Sequence, residues 1–222
     1  MDFERARMNM IEQQIRTWSV LDQEVLDLLT VVRREEFVPP QLRAMAFTDM
    51  ELPLTVEGKA TGETMFAPKT EARILQELAV RKHESVLEIG AGSGYMAALL
   101  AHRARHVDTL EILPGLAGVA TDNLRRAGIA NVTVRQADAS DPGGNPGTYD
   151  VVVLSGGVSF VPDFILKRVN PGGRLTAIVG DAPVMRAQIL ARAGDTAWNT
   201  TTLFETLAKP LTGFPVRQRF RF

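Results

Sequence analysis

Ten residues, VLEIGAGSGY at positions 86–95, leave this chain few ways to fold. An apolar run of strand length closes at Ile89, and glycines follow at alternate positions, Gly90, Gly92 and Gly94. The helical pattern YMAALLAH begins at once after them. A strand that turns through glycines straight into a helix opens a βα unit. The first N–H groups and the positive end of the helix face that turn, and glycine lets a polar ligand come close to the backbone. The unit is then repeated. The pattern predicts helix 69–80, strand 85–90, helix 94–104, strand 107–111, helix 114–127, strands 131–135 and 150–155, helix 161–169 and strand 173–179. Such alternation predicts an α/β chain: a Rossmann-like, doubly wound, mostly parallel sheet with helices on both faces.

The flanks read differently. Residues 1–50 form a helical segment, with Met8, Ile11, Ile15 and Trp18 on one apolar stripe and Val25, Leu28, Leu29 and Val32 on another. Asp22 is placed to cap the second helix, and Pro39 and Pro40 end the helical pattern. Residues 51–68, broken by Gly58, Gly62 and Pro68, read as an ordered loop that faces a substrate. After the cofactor-binding core at 69–180, residues 181–222 return as strands. AQILARAG and WNTTTLFETLA flank a Gly194–Asp195 turn and predict an antiparallel hairpin, and VRQRFRF alternates as an edge strand with one solvated face. The expectation is a single domain over 1–222.

Composition excludes whole classes. Cysteine is absent, so disulfides, thiolate metal sites and a cysteine nucleophile are ruled out. The net charge of −1 gives no field for nucleic acid. No apolar run nears the ~18 residues of a membrane span. The charged start MDFERARMNM is no signal peptide. These readings predict a cytoplasmic chain without membrane or nucleic-acid partners. His102 and His106 lack a third ligand with suitable spacing and read as a solvated pair, so no metal is expected. Ser155-Gly156-Gly157 is no nucleophile elbow, and Ser155 reads as lining the site.

Acids mark the ligand. Glu88 precedes the glycines, Glu111 ends the second strand 21 residues after Gly90, and Asp138 follows the third strand. A carboxylate at Glu111 can accept both ribose hydroxyls of an adenosine, and Asp138 lies where an adenine amino group would arrive. The spacing G-x-G-x-G is not a good match to the dinucleotide fingerprint G-x-G-x-x-G, and the acids with the glycines point to a nucleoside site.

VLEIGAGSGY resembles the first motif of the class I S-adenosylmethionine-dependent methyltransferases, and YDVVVLSGG and LKRVNPGGRLTAIVG resemble their fourth- and fifth-strand motifs. The resemblance implies a seven-stranded sheet with an antiparallel last strand and S-adenosyl-L-methionine as cofactor. It adds Ala91, Ile112 and Ala139 to the glycines and acids that would hold that cofactor. MIEQQIR, VVRREEFVPPQLRAMAFTDMELPL and GETMFAP narrow the likeness to the protein-L-isoaspartate O-methyltransferases, chiefly through Arg34-Glu35-Glu36-Phe37-Val38-Pro39. LAKPLTGF resembles that family's closing element and places Thr212 by the cofactor. The implied acceptor is the carboxylate of isoaspartyl residues in damaged proteins, with Thr64 and the position of Phe66 active, and Met65 and Ser155 contacting the substrate.

One position departs from the family. Where it reads Gly-Gln-Thr-Ile-Ser-x-Pro, this chain has Gly62-Glu63-Thr64-Met65-Phe66-Ala67-Pro68, so Phe66 stands for the active-loop serine. Three readings follow: isoaspartyl methylation with a tolerated substitution, methylation of a different small or peptidic acceptor, or cofactor binding without catalysis.

Overall fold

The computed structural model describes residues 2–141 and 147–217. Helix α1 (Phe3–Met10) runs into a π turn and a 3-10 turn ending at Trp18, and α2 (Gln23–Val31) follows. Asp22 caps α2 as expected, its Oδ1 accepting the Glu24 amide at 2.9 Å. Strands β1 (Leu52–Val56) and β2 (Lys59–Met65) precede α3 (Pro68–Leu78), β3 (Ser85–Ile89), α4 (Tyr95–Ala101), β4 (His106–Glu111), α5 (Pro114–Arg126) and β5 (Val132–Gln136). The chain ends through β6 (Tyr149–Val158), α6 (Asp163–Leu166), β7 (Val169–Asp181), β8 (Val184–Arg192) and β9 (Trp198–Glu205).

Seven strands form one sheet in the order β5-β4-β3-β6-β7-β8-β9. The first five are parallel, β8 runs against β7, and β9 runs against β8. The predicted C-terminal hairpin is therefore present. Only β8 opposes the parallel set, however, because β9 turns back at Gly194–Asp195 and regains its direction.

Alternation along the strands makes two cores. Val86, Val107, Val151 and Val153 pack with Leu116 and Leu124 of α5, Tyr95 and Leu99 of α4, and the N-terminal helices. Leu87, Ile89, Val152 and Leu154 point the other way, onto Ile165 of α6.

The structure corrects three of the sequence expectations. Residues 52–65 are a β-hairpin rather than a loop; Glu57 and Gly58, both at positive φ, make its two-residue turn. Leu54 and Val56 of β1 lie against Gly92 and Gly115, so the hairpin roofs the glycine loop and α5. Helix 161–169 shrinks to four residues, because Val169 already pairs with Tyr149 in the sheet. Met8 is 49% exposed and leaves the apolar stripe to Met10, Ile11 and Ile15. In the predicted edge strand, Val216 and Arg217 are in no strand and 218–222 lie outside the described residues.

Candidate cofactor and acceptor site

The glycine turn leaves the tip of β3 at the centre of the sheet. Gly90, at φ 97°, lies so close to the tip of β6 and to the C-terminal strap that a Cβ would stand 3.2 Å from the Ser155 carbonyl and 3.3 Å from Leu211. Gly94 has a different duty. A Cβ there would meet the Ala120 carbonyl at 3.2 Å, so this glycine seats α4 on α5 and does not face the cavity. From the tip of β4, Glu111 reaches back to the loop. Its Oε2 accepts the Gly92 amide at 2.9 Å and its Oε1 accepts the Leu113 amide at 3.0 Å. The side chain is thereby fixed, and each oxygen keeps a further lone pair for a ligand hydroxyl.

An open cleft, ≈ 730 Å³ with the solvent at its mouth included, lies over this turn. Gly90, Gly92, Glu111, Ile112, Ala139, Ser155 and Thr212 all line it, as do Thr64 and Phe66 of the segment expected to face the acceptor. Ala137 and Ala139 flank Asp138 in the wall, but the exposed Asp138 carboxylate turns to its own turn and accepts the Ser140 amide at 2.8 Å and hydroxyl at 2.6 Å. The strap 209–212 closes the opposite side. It is pinned to β6 by Gly157 N–H donating to the Lys209 carbonyl at 2.7 Å and Leu211 N–H donating to the Gly157 carbonyl at 2.8 Å.

A smaller chamber, ≈ 310 Å³, lies beneath, lined by Met65, Glu71, Glu88, Ala91, Tyr95 and Ser155 among others. Glu88 belongs to this chamber and not to the main cavity. It is fully buried and accepts the Thr109 hydroxyl at 2.7 Å and the Ser155 hydroxyl at 2.9 Å. Burial pushes its carboxyl up to about 8, against those two hydrogen bonds, with Glu71 and Glu111 adding to the rise. The native state thus keeps a proton that the unfolded chain releases near 4.5. Stability should fall as pH rises from 4.5 toward 8, by up to about 1.4 kcal/mol per pH unit, and level off above. Glu88→Gln is expected to flatten this decline in urea unfolding. Parallel pH profiles for variant and wild type would contradict it.

Two hydroxyls expected to meet an acceptor are committed elsewhere. Ser155 donates to Glu88, and Thr64 donates to Glu51 at 2.7 Å. Phe66 packs toward Ile178, Met185, Ala187 and Ala208. Its carbonyl is held from below by Arg34, a residue quoted in the sequence motif without a role there. The guanidinium is 1% exposed, donates to the Phe66 carbonyl and, at 3.0 Å, to the Ala46 carbonyl, pairs with Glu71, and lies over the Tyr95 ring. Sequence reasoning also passed over Glu63 and Lys209, which face each other across the mouth of the cavity. Among the described residues no cluster of three metal-ligating side chains occurs, and His106 sits beside Thr133.

A glycine turn between a parallel strand and a helix, locked to a carboxylate on the next strand tip and opening on a cavity shared with an acceptor segment, defines a Rossmann-like methyltransferase. The profile of the family "Protein-L-isoaspartate(D-aspartate) O-methyltransferase (PCMT)" matches residues 5–214. A protein-L-isoaspartate O-methyltransferase of Herpetosiphon aurantiacus is 35% identical over 95% of this chain and 92% of its own. One of Staphylothermus marinus is 36% identical over 95% and 96%. The crystal structure of a putative protein-L-isoaspartate O-methyltransferase from Plasmodium falciparum, in complex with S-adenosyl-L-homocysteine, shares the fold with TM-score 0.78 and 16% identity, over 96% of this chain and 99% of that one. The chain belongs to the protein-L-isoaspartate (D-aspartate) O-methyltransferase family.

Proposed function

We propose that this chain is an S-adenosylmethionine-dependent carboxyl methyltransferase acting on isoaspartyl residues of proteins and peptides. The observation that carries the reading is membership of the family along 5–214, with the glycine cradle and the acceptor segment opening into one cavity.

The residues present fit the cofactor. A Cβ at Gly90 would be crowded by the Ser155 carbonyl and Leu211, and Glu111 retains acceptor capacity toward the cavity. Glu111 would take the ribose hydroxyls, and Ile112, Ala137 and Ala139 would cover the apolar base. Once bound, the cofactor supplies a methyl group activated by a sulfonium. The chain's own work is orientation and exclusion of water. The free carboxylate of an isoaspartyl residue, with a pKa of about 3.3–3.9, is an anion at neutral pH and needs no general base. It must be aligned and desolvated with its hydrogen bonds kept. Arg34, fixing the Phe66 carbonyl, sets the backbone that lines this approach.

A second reading, a different acceptor, is favoured by one observation: the hydroxyls of Thr64 and Ser155 are turned to Glu51 and Glu88, and Phe66 brings none. Phe66→Ser separates the two. Restoring a hydroxyl beside the acceptor should raise kcat/KM for an isoaspartyl peptide by up to about one to two decades, the worth of one charge-assisted hydrogen bond of ~1.5–3 kcal/mol. High wild-type turnover that falls in the variant would make the phenylalanine part of a working site.

A further inference from the structure

Lys209 is the one cation among the described residues that line the main cavity. Its backbone is immobilised, since the Lys209 carbonyl receives the Gly157 amide and Pro210 bridges to Gly157. Only the side chain is left to move. It spans from the strap to the hairpin, where Nζ donates to the Gly62 carbonyl at 2.7 Å and to Glu63 Oε1 at 2.6 Å. The pair is solvated, with side chains 45% and 30% exposed, so it contributes little to stability. It stands at the acceptor's approach, beside Thr64 and Phe66.

An anionic acceptor entering here meets the Glu63 carboxylate, paired with Lys209, and a Thr64 hydroxyl turned to Glu51. The hydroxyls of Thr64 and Ser155 already face Glu51 and Glu88. The ammonium is the one positive charge among the described residues lining the cavity that can compensate an entering carboxylate as water leaves, and its exposed bond to Glu63 can be exchanged. We propose that Lys209 is an acceptor-binding residue: it is the counter-ion of the substrate carboxylate and passes from Glu63 to that carboxylate as the acceptor enters. This rests on the isoaspartyl reading above.

A mere latch between hairpin and strap makes a different prediction from a counter-ion. Breaking a latch from either side has the same effect, whereas Glu63 competes with the substrate for Lys209. The test titrates an isoaspartyl peptide, and its twin with that carboxylate replaced by a carboxamide, into enzyme saturated with S-adenosylhomocysteine. Wild type should bind the carboxylate peptide more tightly. Lys209→Met should cut that preference roughly tenfold, Lys209→Arg should keep most of it, and Glu63→Gln should increase it severalfold, all fading with added salt. The proposal is overturned if wild type shows no preference, if Lys209→Met retains it, or if Glu63→Gln and Lys209→Met weaken carboxylate binding alike. Methyl transfer to the same peptide is measured in parallel. A Lys209-dependent preference without transfer would sink the isoaspartyl reading and leave the role of Lys209 standing.

Discussion

Arg34→Met is expected to destabilise the fold by about 3–5 kcal/mol, the cost of leaving a buried charge without its partner. Arg34 and Glu71 are both almost wholly inaccessible and pair directly. The guanidinium also serves the Ala46 and Phe66 carbonyls, and methionine can replace neither bond. Burial pushes Glu71 up to about 7 even against the pull of Arg34. With the arginine gone it would rise further, and Glu71 would bind a proton in the native state. The sign follows: the penalty is smaller near pH 5, where protonation is cheap, and larger near pH 8. Urea unfolding of Arg34→Met at both pH values checks it. Adding Glu71→Leu should recover part of the loss, since an apolar pair avoids the stranded carboxylate. A loss under ~1 kcal/mol at pH 8, the size of an exposed ion pair, would show that the pair is not the keystone its burial implies.

Glu111→Ala should weaken S-adenosylhomocysteine binding at least tenfold in a protein that remains folded. Two losses combine. The ribose hydroxyls lose a charged acceptor, each hydrogen bond contributing at most ~1.5–3 kcal/mol. The Gly92 and Leu113 amides also lose the oxygens that hold the glycine turn in place. The fold survives because both amides border the open cavity, where water can satisfy them. Calorimetric titration measures the change. An unchanged Kd in a folded variant would show that Glu111 holds only the loop and not the ligand.

What the sequence made readable was local. The strand–glycine–helix unit, the acid ending β4 and the cap at Asp22 each depend on neighbours within a turn or a strand, so residue types and spacing expose them. The hairpin 52–65 escaped because its turn is Glu57–Gly58, without the Asn-Gly or Asp-Gly signal, and because Pro53 interrupts the alternation of β1. Arg34 and Lys209 escaped for another reason. Arg34 bonds partners 12, 32 and 37 positions away, and Lys209 reaches Glu63 across 146. No periodicity encodes such pairings. Glu88 and Gly94 were found by motif, but their duties differ from their neighbours': one ties β4 and β6 to β3 beneath the site, the other seats a helix.

The most direct measurement is methyl transfer from labelled S-adenosylmethionine to two peptides that differ only in an isoaspartyl or a normal aspartyl linkage. Base-labile label is expected on the isoaspartyl peptide and almost none on its aspartyl twin. Equal labelling of both, or none on either from enzyme that binds S-adenosylhomocysteine, would contradict it.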